Sequence, residues 1–152
     1  MQKADPEFFA LLVESYRRTI GEEPAFLAGG EATPAWLYEG SPHAVLAHDT
    51  APVPRFIYAN RAAQACFEYD WDEIVGLPSH LSAEPQERAE RQRLLDQVRA
   101  TGYAAGYAGI RIAKSGRKFR IEDGVVWQLI DAAGVLHGQA ASFGRWRDLP
   151  GT

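Results

Sequence analysis

The residues with the clearest chemical potential are a histidine–aspartate pair and three side chains on later segments. His48 and Asp49 follow a short apolar run, where an imidazole and a carboxylate could orient a ligand or anchor the following proline-rich loop. Arg111, Trp127 and Gln139 offer a planar donor fork, an indole and an amide, which together could hold a small acidic or aromatic molecule. We therefore expect a binding site for a small organic ligand. Arg111 has an alternative role, an ion pair with Glu122 across two strands on the outer face of a sheet.

Patterns typical of catalysis or metal binding are missing from the sequence. We find no nucleophile–base spacing, phosphate loop or catalytic carboxylate pair, so we expect no enzymatic activity; the alternative is a small lyase or isomerase that uses His48 and Asp49. The four histidines have no metal-ligand spacing, and we expect no metal site. The single cysteine, Cys66, excludes an internal disulfide and suits a reducing compartment, which predicts a cytoplasmic location.

Composition limits the number of domains and the kind of partner. The chain has 152 residues, of which 46% are hydrophobic, enough for one domain with a core. Its net charge of -4 argues against a general nucleic-acid or anionic-membrane binder. No apolar window approaches the roughly 18 residues of a membrane span, and charged residues interrupt the N-terminus where a signal peptide needs an apolar core. We expect neither nucleic-acid nor membrane partners.

Hydrophobic periodicity predicts a sheet with several helices. Strands are expected at 44–47, 55–59, 107–112, 117–130 and 135–143, and a long helix at 86–100. That helix alternates arginines with acidic residues, which indicates a solvated surface with one inward stripe rather than a nucleic-acid site. Asn60 and Asp70 are expected to cap two short helices that follow the second strand.

The longest predicted strand contains an irregularity. Phe119, Ile121, Val125, Trp127 and Leu129 share one phase of the two-residue period, and Asp123 falls on that same phase. Either Asp123 and Gly124 form a bulge that turns the carboxylate outwards, or a charged group faces the inner side of the sheet and marks a polar pocket.

The N-terminal segment reads as an amphipathic helix. Asp5 and Pro6 form a start signal, an apolar stripe follows at helical spacing, and Gly21 ends it. The helix could cover the core, or it could pair with its copy in a homodimer through the stripe that contains Phe9 and Val13. We divide the chain into a helical extension at 1–35, a folded domain at 36–147 and a tail at 148–152.

Several motifs resemble the MEKHLA domain, a PAS-like family. They include Trp36-Leu-Tyr-Glu39, Tyr58-Ala-Asn60, Phe119-Arg-Ile-Glu122 and Gly138-Gln139-Ala-Ala141, and the resemblance covers roughly residues 36–143. It implies an α+β fold in which helices pack on one face of a five-stranded antiparallel sheet that cups a cavity. It also implies a sensing or protein-interaction role. We count Asn60 among the ligand-binding candidates as well. The family occurs as small bacterial proteins and at the C-terminus of plant class III homeodomain-leucine-zipper regulators; with no homeodomain or zipper ahead, we expect the stand-alone bacterial type.

The resemblance does not identify a cofactor. Flavin photosensors of the light-oxygen-voltage group need a reactive cysteine on a later helix, whereas Cys66 lies on the first core helix and is expected to be buried packing. Haem-binding PAS domains usually ligate iron from the long helix, which here lacks histidine; His80, just before it, is the remaining candidate. Three functions stay open: a small-molecule sensor that transmits its ligand state through protein contacts, a ligand-free interaction or dimerisation domain, and a small enzyme.

Overall fold

The computed structural model describes residues 3–83 and 88–150. These residues form five α-helices, six β-strands and two short 3-10 turns. The helices are α1 (Pro6–Ile20), α2 (Pro34–Glu39), α3 (Arg61–Phe67), α4 (Trp71–Ile74) and α5 (Arg88–Thr101). The strands are β1 (Ala44–His48), β2 (Phe56–Ala59), β3 (Tyr103–Ile112), β4 (Lys118–Ile130), β5 (Leu136–Phe143) and β6 (Arg145–Asp148). Within these ranges no helix combines the length and hydrophobicity needed to cross a bilayer.

All six strands belong to one antiparallel sheet. Its order is β2-β1-β5-β4-β3, and β6 also pairs with β4. Strands β5 and β6 continue along the same edge of β4, since Val125 faces Ser142 and Glu122 faces Arg145 in one uninterrupted register. The predicted α+β arrangement with five antiparallel strands is confirmed, and β6 is an additional strand that the sequence did not reveal.

Helices cover both faces of the sheet. On one side, which we call the α1 face, α1 packs against Trp127 and Leu129. Ser15 fixes this contact, because its hydroxyl donates to the Ile130 carbonyl at 2.8 Å and accepts from the Ile130 N–H at 2.9 Å. On the other side, the α5 face, Val98 of α5 packs against the sheet. The sheet is therefore the middle layer of the molecule.

Helix α1 is part of the core. Its apolar stripe of Phe8, Leu12, Val13 and Tyr16 is buried against the sheet. The prediction that this helix covers the core is confirmed. Val13 belongs to the buried stripe and is 3% exposed, so it is not accessible to a second copy of the chain, whereas Phe9 is half-buried.

A bulge in β4 changes which side chains share a face. Asp123 has a φ of 53°, is exposed and forms an ion pair with Arg145, so the bulge interpretation is confirmed. The expectation of a single phase along the strand was wrong. Ile121, before the bulge, lies on the α5 face, whereas Trp127, after it, lies on the α1 face. One residue inserted into a strand moves every later side chain to the opposite face.

Helix α5 is a surface helix with one inward stripe, as predicted. Val98 is fully buried, Leu94 and Leu95 are half-buried, and Arg93 and Arg99 are exposed. The first two positions of the predicted helix, residues 86 and 87, lie outside the described residues.

Candidate binding cavity

A mostly apolar cavity lies between the α5 face of the sheet and α5. Its volume is about 70 Å³, and it is partly open to solvent. The lining side chains include Leu46, His48, Phe56, Tyr107, Arg111, Ile121, Gln139 and Phe143 on the strands, and Phe67, Ser82, Arg91, Leu94 and Leu95 on the helices and the 3-10 turn. An apolar cavity of roughly 150 Å³ holds benzene, and drug-sized ligands fill about 300 to 1,000 Å³. The cavity as it stands suits a very small molecule, and a flavin or haem would require a large expansion.

His48 contributes a buried acceptor. Its Nδ1 lies 2.9 Å from the Asp49 carbonyl oxygen, which can only accept, so Nδ1 carries the proton and Nε2 has a free lone pair. Nε2 is buried and has no hydrogen-bond partner among the described residues. Burial lowers the pKa of His48, and the Arg91 charge lowers it further, although the hydrogen bond to Asp49 opposes this. The ring is therefore a neutral acceptor at neutral pH.

Arg111 contributes a buried cation. Its side chain is 8% exposed, its guanidinium stacks 5.3 Å from the centre of the Tyr107 ring, and Nη1 donates to the Ile110 carbonyl at 2.9 Å. Within residues 3–83 and 88–150, Arg111 forms no ion pair with a carboxylate. The alternative pairing with Glu122 is not formed, because Glu122 accepts from Arg147 at 2.7 Å.

Two glycines allow these side chains to approach one another. A Cβ atom on Gly138 would lie 2.1 Å from the His48 carbonyl oxygen, so only glycine lets β1 and β5 pair this closely beside His48 and Gln139. A Cβ atom on Gly124 would lie 3.1 Å from the Tyr107 ring. The missing side chain at Gly124 therefore leaves room for the ring on which Arg111 stacks.

Three of the six predicted ligand-binding residues, His48, Arg111 and Gln139, lie together at the cavity. Gln139 is half-buried and faces His48 across the β1–β5 pair. The sequence did not single out Arg91, Tyr107 or Ser82. Arg91 lies on the inward stripe of α5 and donates to the Ser79 hydroxyl at 2.8 Å. Arg91 precedes Leu94 and Leu95 by three and four residues, and this helical spacing was the sequence signal that all three lie on the same side of α5.

Asp49 anchors a loop. Its Oδ1 accepts from the backbone N–H of Ala51 at 3.2 Å and of Arg55 at 3.0 Å. Its carboxylate therefore holds the proline-rich loop, and only its backbone carbonyl contacts the His48 ring. The loop-anchoring interpretation fits Asp49, and a His48–Asp49 side-chain dyad does not form.

Asn60 and Trp127 have structural positions away from the cavity. The Asn60 side chain is fully buried, and its oxygen accepts from Val45 N–H at 2.9 Å and Ala63 N–H at 3.1 Å, which caps α3. Trp127 lies on the α1 face, where its indole N–H donates to the Leu12 carbonyl at 3.2 Å. Neither residue lines the cavity. Asn60 forms its hydrogen bonds with the backbone, and the bulge in β4 places Trp127 on the opposite face of the sheet.

Cys66 and His80 do not contribute to the cavity. Cys66 is buried, and burial raises the pKa of its thiol to about 12, so it carries no reactive thiolate. The prediction of buried packing is confirmed. His80 lies in a 3-10 turn and is not a cavity-lining residue. Across the part of the chain that the structure describes, no three histidine, cysteine or carboxylate side chains gather as a metal-binding group.

Comparison with known proteins gives the family. The model of the MEKHLA domain matches residues 6–148, which include α1 and β6 as well as the predicted core. The chain belongs to the MEKHLA family. This MEKHLA domain matches no curated protein.

Solved structures show that the MEKHLA chain has a PAS-like fold. The PAS domain of a protein from Colwellia psychrerythraea is 16% identical, with a TM-score of 0.64 over 76% of this chain and 92% of that one. A light-oxygen-voltage domain studied with a flavin analogue is 14% identical, with a TM-score of 0.57 over 72% of this chain and 78% of that one. The predicted PAS-like fold is confirmed.

Proposed function

We propose that this MEKHLA domain is a sensory module that binds a small molecule in the α5-face cavity and transmits its occupancy through protein–protein contacts. The supporting observation is a pair of buried polar groups beside an apolar space: His48 Nε2, without a partner among the described residues, and Arg111, without a carboxylate partner there. Buried polar groups normally find hydrogen-bond partners, and an unmet one costs about 1 to 3 kcal/mol. A bound molecule would offset that cost.

Helix α5 is the element that would report occupancy. It forms the helical wall of the cavity through Arg91, Leu94 and Leu95, and its outer residues, including Arg93 and Arg99, are exposed. A molecule that fills the cavity contacts the inner side of this helix. It can therefore shift the equilibrium between different positions of α5 relative to the sheet. A partner that binds the outer side would detect that shift. The proposed role is non-enzymatic, and the single buried cysteine favours the cytoplasm.

A ligand-free interaction domain is the second candidate. The small volume of the cavity favours it, and so do Val135 and Leu136 at the β4–β5 turn, which are 52% and 45% exposed. Adjacent exposed apolar side chains are typical of contact surfaces. Since the α1 stripe is buried, a homodimer through α1 would have to use the opposite face of the helix, which carries Ala10 and Glu14.

Native and denaturing mass spectra of freshly purified protein test the two candidates. The sensor proposal predicts an extra non-covalent mass in the native spectrum that disappears on denaturation. A bare chain or a bare dimer would favour the interaction domain.

A cavity-filling variant shows where a bound molecule lies. Ala141 lines the cavity, so Ala141→Leu should fill it and remove the extra mass. Ala132→Leu, in the exposed β4–β5 turn, adds the same atoms elsewhere and should retain that mass. Retention by both variants would place the molecule outside the cavity and contradict the proposal.

A further inference from the structure

A second space, which we call the groove, opens beside the α5-face cavity where β1 ends and β5 begins. Its volume is about 160 Å³, and it is also partly open to solvent. The loop that follows β1 borders the groove on one side, and Arg99 of α5 borders it on another. His48, Leu95 and Gln139 line both the groove and the cavity, so the two spaces meet at these side chains.

Three polar side chains stand level with one another in the groove. The strand register pairs His48 of β1 with Gln139 of β5, and it pairs Gln139 with Gln128 of β4. Paired residues of antiparallel strands lie about 5 Å apart and project from the same face. Trp127 and Leu129 lie on the α1 face, so Gln128 between them projects from the α5 face. One imidazole and two amides therefore form a polar row that lines the groove.

This polar row has hydrogen-bonding capacity to spare. Among the residues that the structure describes, His48 Nε2 has no partner, and neither the Gln128 nor the Gln139 side chain forms a hydrogen bond. Nε2 can only accept in the tautomer that the Asp49 carbonyl selects, whereas a glutamine amide both donates and accepts. A ligand that pairs with the row therefore offers an N–H or O–H to His48 and a carbonyl oxygen to a glutamine.

The head group that fits the polar row is neutral. Burial lowers the pKa of His48 and the Arg91 charge lowers it further, so the imidazole stays an uncharged acceptor. A carboxylate would bring only oxygen lone pairs to Nε2, and two acceptors cannot form a hydrogen bond. Asp49 and Arg99 also line the groove, and their opposite charges give it no preference for an ion of one sign.

Building on the sensory function proposed above, we infer that the ligand is a small neutral amide with a short apolar tail. Its N–H donates to His48 Nε2, its carbonyl oxygen accepts from the Gln139 amide, and its tail passes Leu95 into the α5-face cavity. An amide suits the row because its donor and acceptor lie side by side in one plane. The cavity volume of about 70 Å³ has room for about two groups of the size of water, such as a methylene and a methyl.

Four small probes separate the parts of this ligand. Butyramide has the N–H donor, the carbonyl and the apolar tail. Methyl butyrate keeps the carbonyl and the tail but has no donor, and butyrate has the same tail, no donor and a negative charge at neutral pH. Acetamide keeps the amide and lacks two carbon groups of the tail.

NMR titration of the isotope-labelled protein at neutral pH should give the tightest binding for butyramide. Methyl butyrate should bind about 2- to 10-fold more weakly, because one hydrogen bond between neutral groups is lost. Butyrate should bind at least about 10-fold more weakly, because its buried head is charged and has no donor for His48. Acetamide should also bind about 10-fold more weakly, because it buries two fewer carbon groups.

A substitution in the polar row tests the position of the head group. Gln139→Met removes the amide and keeps an unbranched side chain, so butyramide should bind about 2- to 10-fold more weakly. Gln97→Met makes the same change at an exposed position of α5 that lines neither space, and butyramide affinity should stay within about 2-fold.

The nitrogen NMR signal of His48 Nε2 gives a second reading in the unaltered protein. It should shift when butyramide binds and shift less with methyl butyrate, because only butyramide donates to Nε2. This measurement decides if Gln139→Met fails to fold.

The outcomes distinguish this inference from the broader proposal. The amide inference is overturned if butyrate, methyl butyrate or acetamide binds as tightly as butyramide, or if Gln139→Met folds and binds butyramide as the Gln97→Met control does. An unchanged His48 Nε2 signal overturns it as well. If butyramide does not bind and the native mass spectrum shows another non-covalent mass, the inference falls and the sensory function stands. If butyramide does not bind and the native spectrum shows a bare chain, both fall.

Discussion

His48 combines structural and chemical constraints in one side chain. Gly138 brings the β5 backbone against the His48 carbonyl, and the Asp49 carbonyl fixes the ring tautomer. The same ring borders the cavity, where burial and the nearby Arg91 charge disfavour the imidazolium. A neutral imidazole with a fixed tautomer presents one acceptor and no donor to the cavity. The chemistry available to a ligand is thus set by backbone contacts that surround the ring.

The lowered pKa of His48 predicts a pH-dependent stability. As pH falls below about 6.5, the unfolded chain binds a proton that the folded chain excludes, so the free energy of unfolding should decrease until the folded-state pKa is passed. One such histidine contributes at most about 1.4 kcal/mol per pH unit. His48→Gln should therefore flatten this decrease between pH 6.5 and 5 in urea unfolding experiments.

His43 provides the comparison for that measurement. Burial lowers its pKa as well, so His43→Gln should also reduce the slope, and the double variant should reduce it further. An unchanged slope in His48→Gln would mean that the ring is protonated equally easily in the folded and unfolded chains.

At the residue scale, the sequence predicted the site in part. Positions on predicted strands or at their ends brought His48, Arg111 and Gln139 into consideration, and the structure places all three at the cavity. The sequence indicated that Asn60 caps a helix. It could not show that the same side chain also hydrogen-bonds the backbone at Leu37 and Val45, since these partners come from separate segments of the chain. Arg91 was missed because it alternates with acidic residues on a surface helix, and only its spacing from Leu94 and Leu95 indicated that it lies on the inward stripe.

Among the secondary structure elements, β4 determines what faces the cavity. Before the bulge at Asp123, Phe119 and Ile121 lie on the α5 face; after it, Trp127 and Leu129 lie on the α1 face. The same bulge positions Gly124 beside the Tyr107 ring that supports Arg111. The sequence left the bulge as one of two alternatives, so the change of side-chain phase that a one-residue bulge causes was not predicted.

Substitutions at Asp123 test the bulge. A left-handed conformation is strained for side chains with a Cβ, most of all branched ones, and is open to glycine. Asp123→Val should therefore cost about 1 to 2 kcal/mol in the free energy of unfolding, measured with urea, whereas Asp123→Gly should stay within about 0.5 kcal/mol.

Both Asp123 variants lose the ion pair with Arg145, which is exposed on both sides. Arg145→Ala measures that loss separately, and it should be below about 1 kcal/mol. Equal stability of the Val and Gly variants would show that Asp123 does not have a positive φ in solution.

For the whole molecule, α1 is as much a part of the core as the strands are. Its stripe of Phe8, Leu12, Val13 and Tyr16 packs with the fully buried Trp127 and Leu129, and the family match begins at residue 6, where this helix begins. From sequence alone the helix favoured covering the core but also fitted a dimer interface, since both roles bury one apolar stripe.

Deletion of residues 1–21 therefore tests the architecture. Each buried stripe residue contributes about 1.5 to 3 kcal/mol, so losing four of them would remove most of the roughly 5 to 15 kcal/mol that holds a typical domain together. We expect the truncated chain to lose its near-UV circular dichroism and its cooperative urea transition. Ala10→Arg, on the exposed side of α1, is the control and should retain both. If instead the truncated chain stays cooperatively folded and light scattering shows only a change from dimer to monomer, α1 is an interface between chains and the cavity must be stable without it.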